Sequence, residues 1–350
     1  MTDKKRIEYI DLAKGFCILL VLAVHIIPEI GKRYDLLTCL RMPLYFCLSG
    51  MFFKDYGGFK NLFFKKADKL LIPFFSWYLI SYCFYYFRVL TLGEASEYFH
   101  ILDLFTRPYF YNIPLWFLLS LFWVNVIYCG VCRASRNIYV KGVMIVAITS
   151  MGVIWSLLQI PNWFFIGTAM TCLPFFFMGR MLISSPIVKE KNKRLDLAMT
   201  TGAAAIIAFS VIVLKQFLLM SYFNNKMENG SFVFLYILAA SMIIITLILC
   251  KYINRLPLVS YLGRFSIIAL VTHELLRNVT NRGIRLFINP DLDDIYINSL
   301  VMVIVTSLMF IVIPLCRKFL PYITAQKEWL GKKVNDSTKD NRRGLTSPSV

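Results

Sequence analysis

The chain has 350 residues, 58% of them hydrophobic and 17% charged, with a mean hydropathy of +0.63. A soluble domain has no way to cover that much apolar surface, so the composition excludes a soluble globular protein and predicts a multi-pass membrane protein. The formal net charge of +18 is explained by Lys and Arg in the connections and by anionic lipid, so no nucleic-acid partner is required.

Apolar stretches of spanning length cover, in chain order, residues 10–27, 36–53, 70–92, 115–132, 139–158, 163–183, 197–220, 232–250, 258–279 and 298–316. They predict an all-α polytopic integral membrane bundle of about ten transmembrane helices in the lipid bilayer of a cell membrane. The transmembrane domain is expected to occupy 1–325. Residues 326–350 form a polar tail, rich in Lys, Ser and Asp towards its end, that is expected to be disordered.

Orientation follows from the basic residues. With the N-terminus in the cytoplasm, inner segments collect Lys4, Lys5 and Arg6, then Lys54, Lys60, Lys65, Lys66 and Lys69, then Arg133, Arg136 and Lys141. Later inner segments add Arg180, Lys189, Lys191, Lys193, Arg194, Lys251 and Arg255, whereas the outer connections hold fewer, among them Lys32, Arg107 and Arg277. Both termini are therefore expected on the cytoplasmic side. A basic start before an apolar run also describes a signal peptide, but Asp11 and Lys14 are out of place in one and no small-residue cleavage site follows.

The first span carries Asp11, Lys14 and His25, ionisable groups that are costly in lipid. At about 100° per residue all three fall within a wedge of about 60°, with Ile18 on the same stripe. That face must look into protein or a wet cavity, which marks a functional site. Asp11 and His25 lie about 21 Å apart along the axis, so they cannot form a His-Asp dyad within one helix.

Of nine cysteines, most sit inside spans as small apolar residues. Cys129 and Cys132 spell C-x-x-C at a helix end with no preceding strand and no second thiol pair, so packed thiols are expected rather than a redox or zinc site. No metal is expected.

Four stretches resemble one family. They are the run from Arg6 to Gly15 followed by Val24 and His25; Arg41-Met42-Pro43-Leu44-Tyr45-Phe46 with Leu48-Ser49-Gly50; Lys65 to Pro73; and Gly263-Arg264-Phe265-Ser266 through Thr272-His273. Together they resemble the signatures of the membrane-bound acyltransferase 3 family, whose members move acyl groups, most often acetyl from acetyl-CoA, to carbohydrate hydroxyls of cell-envelope glycans. Lys14, Lys66 and Lys69 stand where Arg is common in that family, which keeps the charge but loses the bidentate fork. No hydrolase-like segment follows the last span, a feature similar to the fucose 4-O-acetylase-like branch.

The resemblance implies acyl-CoA as donor and a cell-envelope glycan or lipid-linked sugar as acceptor. On the predicted topology His25, Arg41, His273 and Glu274 share the outer depth, and Asp11, Lys14, Lys66, Lys69, Arg180 and Arg264 the inner one. Such a two-ended site suits a donor whose phosphates stay inside while its thin pantetheine arm reaches outward. Asp11, Lys14, Lys66 and Lys69 are then the donor-binding candidates. His25 is the general base, Arg41 steadies an oxyanion or holds the acceptor, and His273 and Glu274 orient His25 or relay its proton.

Each assignment has a plainer counterpart. His25 also fits a helix-helix hydrogen bond, Lys65, Lys66 and Lys69 fit a topology signal, and Arg180 and Arg264 fit snorkelling to headgroups. Glu274 fits interfacial polarity, Trp116 an interfacial anchor, and His100 has no partner that sequence can name. A proton-coupled transporter or exporter of a glycan or lipid-linked saccharide is the alternative function, although no repeated motif relates the two halves.

Overall fold

Helix α1 (Glu8–Ile26) is the axis of the bundle. Its stripe of Ile10, Leu12, Ala13, Cys17, Ile18, Val21 and Leu22 is buried, and Asp11 is buried with it, as the polar wedge requires. The computed structural model describes residues 7–28, 30, 35–92, 111–213 and 219–330.

After α1 come α2 (Asp35–Met51), α3 (Phe59–Lys66), α4 (Ile72–Leu92), α5 (Trp116–Ala134), α6 (Ile138–Leu157) and α7 (Ile166–Leu182). The second half holds the short α8 (Pro186–Lys189), then α9 (Lys193–Ala208), α10 (Phe232–Ile253), α11 (Pro257–Arg264), α12 (Ser266–Phe287) and α13 (Asp294–Phe319). A two-stranded antiparallel hairpin, β1 (Leu219–Ser221) and β2 (Lys226–Asn229), precedes α10.

Two glycine crossings set the packing. A Cβ on Gly15 would lie 2.0 Å from the Val259 carbonyl oxygen, and one on Gly263 1.9 Å from that of Asp11, so α1 and α11 touch backbone to backbone. Gly50 and Gly179 make the same close approach between α2 and α7, at 1.9 Å from the Phe176 oxygen and 1.8 Å from the Cys47 oxygen. Small residues at crossings are what helix association in lipid demands, because dispersion contacts replace the hydrophobic drive.

The ten predicted spans are revised in four places. Among the described residues eight helices are long and apolar enough to cross a membrane, nine if one bent pair counts as a single span. Helix α2 has 17 residues, about 25 Å of rise against a hydrocarbon core of about 30 Å.

The predicted span 258–279 is broken: α11 and α12 meet at 92°, with Phe265 in a non-helical conformation (φ −114°, ψ 30°) between them. The predicted span 197–220 overruns, since Met220 lies in β1. Helices α3 and α4 instead join into one apolar stretch, Phe59–Arg88, through a widened π-helical turn at Ala67–Leu71. Pro73 explains that turn, because it has no N–H for the carbonyl four residues back and its ring crowds that carbonyl.

The hairpin is tied to α6 and α7 by polar side chains. Thr168 Oγ1 donates to the Tyr222 oxygen at 2.5 Å, and Asn162 Nδ2 to the Phe223 oxygen at 2.8 Å. Asn225 Nδ2 donates to the Gly152 oxygen at 3.0 Å, and Thr171 Oγ1 to Asn225 Oδ1 at 2.9 Å. At the chain's far side the segment after α13 folds back onto the π-helical turn. Asp68 Oδ1 accepts from the Trp329 and Leu330 amides at 3.1 and 2.8 Å, and Trp77 Nε1 donates to the Ile323 oxygen at 3.1 Å.

Candidate functional site

The break at Phe265 lets α12 turn into the bundle and bring His273 against the last turn of α1. The His25 and His273 rings lie 5.5 Å apart between centroids with planes at 53°. His273 is fully buried; its Nδ1 hydrogen-bonds the Ala269 oxygen at 3.0 Å, and its Nε2 has no partner among the described residues. Arg41 on α2 faces His25 electrostatically. Cys17 Sγ donates to the Arg41 carbonyl oxygen at 2.8 Å, and side chains of α2 lean toward its N-terminus, which carries the guanidinium toward the His25 end of α1.

Glu274 does not touch the His25 ring directly. It accepts from Arg277 Nη2 at 2.5 Å, while Arg277 Nη1 donates to the His25 backbone oxygen at 2.8 Å. Glu274 is buried and its second oxygen, Oε2, is unpartnered. A wall of aromatic residues follows: Asn278 Nδ2 donates to the Tyr85 hydroxyl at 2.5 Å, and Tyr85 stacks on Tyr111 at 4.8 Å. Asn112 is buried and pins α12 through the Val271 oxygen at 2.8 Å.

At the other end of α1 the side chains are basic. Lys14 Nζ lies 4.6 Å above the Phe52 ring. Beside it, Phe53, Lys54, Asp55, Tyr128, Cys132, Lys141 and Arg180 line a cleft of about 480 Å³. Lys66 faces Lys54 and Lys69, and Lys65 and Lys69 pair with Glu328 of the folded-back segment, Lys69 at 3.8 Å. Tyr56, in the loop before α3, has its hydroxyl pushed up by burial and further by Glu328, with Lys65 opposing. Like charges gathered in a partly dry setting repel one another, and an anion relieves them.

The two ends are separated along α1, as the spacing of Asp11 and His25 implied, and the same helices thread both. Residues 7–317 match the family model described as the acyltransferase domain, acyltransferase 3. The chain belongs to the acyltransferase 3 family. Neither a curated protein nor a solved structure matches it. Membership makes it a membrane acyltransferase by family and points to acyl-CoA as donor, and the helical bundle agrees with a multi-pass membrane location.

For this acyltransferase 3 chain, the structure brings His25, Arg41, His273 and Glu274 together at one end. At the other end Lys66 lies near Lys69 and Lys14 lies over Phe52, whereas Asp11 is buried where α11 crosses α1. Arg180 is exposed and lines the cleft. Arg264 stacks on Phe265 at 5.4 Å. Trp116 is buried against Phe117 and Phe165.

Cys129 is buried and free, and Cys132 lines the cleft; no cluster suited to a metal occurs among the described residues. His100 lies outside the described residues. Sequence reading missed Arg277, Lys54 and Lys141, which it counted only as loop charges. The signal available for Arg277 was its place one turn after His273 on the same helix.

Proposed function

We propose that the protein is an integral O-acyltransferase of the cell membrane. It transfers an acyl group, acetyl in the first instance, from cytoplasmic acyl-CoA to a hydroxyl of a cell-envelope carbohydrate or lipid-linked sugar, in the manner of the fucose 4-O-acetylase-like branch. The observation that carries this reading is the pairing, across one bundle, of an imidazole cluster with Arg41 at one end and a lysine-lined cleft at the other. With both termini cytoplasmic, the basic end faces the cytoplasm and the His25 end the outer face.

In that frame Lys14, Lys54, Lys66, Lys69 and Arg180 hold the donor phosphates as point charges and forks. His25 takes the proton of the acceptor hydroxyl as its oxygen attacks the thioester carbonyl. Arg41 faces the charge that develops on the carbonyl oxygen. His273 packs on the His25 ring, and Glu274 acts on it through Arg277.

Purified protein in detergent, where both ends are accessible, tests the reading. Label moves from acetyl-CoA to a glycan acceptor without any gradient, survives an uncoupler and disappears in His25→Ala inserted at normal abundance. Wild-type transfer by His25→Ala removes the general-base role. Glycan movement in sealed vesicles that collapses with the proton gradient, with no acylation by any donor, identifies an exporter instead.

A further inference from the structure

The hairpin carries Tyr222 into the bundle directly after β1. Its side chain is 3% exposed, and its hydroxyl is buried with no hydrogen-bond partner among the described residues. An orphaned buried hydroxyl is a standing cost that a phenylalanine ring of the same shape avoids, so a Tyr here calls for a use. Its surroundings supply one. Strand β1 packs against α2, the helix that carries Arg41, and the Arg41 guanidinium lies within electrostatic range of both Tyr222 and His25.

Arg41 Nε and His273 Nε2 are buried and unpartnered as well. Three polar atoms, on α2, on the hairpin and on α12, thus stand buried without partners among the described residues, and the last of them belongs to the ring that packs on His25. The ring is held from behind: Thr168 binds the Tyr222 backbone oxygen and Asn162 that of Phe223, so the hydroxyl has a fixed position.

We propose that Tyr222 is a catalytic residue whose hydroxyl, beside Arg41, donates a hydrogen bond to the carbonyl oxygen of the acyl group in transfer. This rests on the acyltransferase reading above. The acceptor hydroxyl gives its proton to His25 while its oxygen bonds to the carbonyl carbon. The C=O electron pair moves onto the oxygen, where the Tyr222 O–H and Arg41 meet the charge. When that pair returns, the carbon–sulfur bond breaks and the leaving thiolate takes the proton from His25. The products are the ester and free CoA thiol. A tyrosine hydroxyl is protonated at neutral pH and is therefore able to donate.

The test is Tyr222→Phe in the purified full-length chain, assayed with acetyl-CoA and glycan acceptor beside the wild type. The expected result is a kcat lower by about 100-fold, the scale of one lost oxyanion donor, with both KM values within about twofold and a thermal midpoint equal to or above wild type. The ring and the backbone anchors of the hairpin stay in place, so folding is preserved. Wild-type kcat in Tyr222→Phe overturns the assignment alone. A kcat loss that tracks a lowered midpoint overturns it in favour of a structural role. A wild-type protein that transfers no acyl group overturns the acyltransferase reading, and this one with it.

Discussion

Arg277 donates through Nη1 to the backbone oxygen of His25 at 2.8 Å. That oxygen belongs to the last turn of α1, where carbonyls lack intrahelical partners, and a cation there also suits the helix dipole. The same guanidinium holds Glu274 at 2.5 Å, so one side chain locks the end of α1 to α12 and fixes how the two imidazole rings meet.

Replacing Arg277 with Lys therefore keeps the charge but loses the fork that reaches two partners at once. The expected outcome is a kcat reduced by about 10-fold or more with donor KM unchanged, since a charge-assisted hydrogen bond contributes about 1.5–3 kcal/mol. Steady-state kinetics of the purified variant check it. A rise in KM at constant kcat would place Arg277 in binding rather than in positioning His25.

Much of this end was legible in the sequence, because a helix converts residue number into depth. The polar wedge of α1 and the Arg41 and His273 positions needed only the rise per residue and the order of spans. Arg277, the 92° bend and Tyr222 were not legible, for one shared reason: each depends on what a neighbouring backbone does. The bend follows from Phe265 leaving the helix where Gly263 is pressed on Asp11, and Tyr222 follows a strand that begins in the last residues of an apolar run that reads as a span. At the basic end the lysines were visible, but their use in loops as a topology signal masked the cleft that Lys54, Lys141 and Arg180 share.

The fold itself makes a sharper stability prediction at Gly179. A methyl there would lie 1.8 Å from the Cys47 oxygen, against backbone that cannot swing aside. Gly179→Ala should separate α2 from α7, costing about 1–3 kcal/mol or more. A thermal midpoint in detergent at the wild-type value would show that the crossing tolerates a methyl group.

Lys251 and Asp196 form a buried ion pair at 2.6 Å, each side chain 3% exposed. Lys251 also donates to the Ile187 and Glu190 oxygens, and Tyr252 donates to the second Asp196 oxygen at 2.9 Å. Lys251→Met strands the carboxylate and should destabilise the protein by about 3–5 kcal/mol. Adding Asp196→Leu removes the stranded charge and recovers part of the loss, and thermal unfolding of the single and double variants measures the coupling. Equal midpoints for both would mean that the carboxylate finds water when Lys251 is gone.

At the basic end, Lys66 and Lys69 distinguish donor binding from a mere orientation signal. Lys66 faces two other lysines, and no acidic side chain among the described residues pairs with it, whereas Lys69 shares Glu328 with Lys65. If phosphates complete this cluster, Lys66→Gln with Lys69→Gln raises the apparent KM for acyl-CoA about 10-fold or more, with the acceptor KM nearly unchanged, since each lost charge-assisted contact removes about 1.5–3 kcal/mol. The wild-type donor KM also climbs with ionic strength, and that slope flattens in the double variant because fewer charges remain to be screened. If the lysines only set topology, reporter fusions reveal inverted molecules, and the correctly inserted fraction keeps the wild-type donor KM and salt slope.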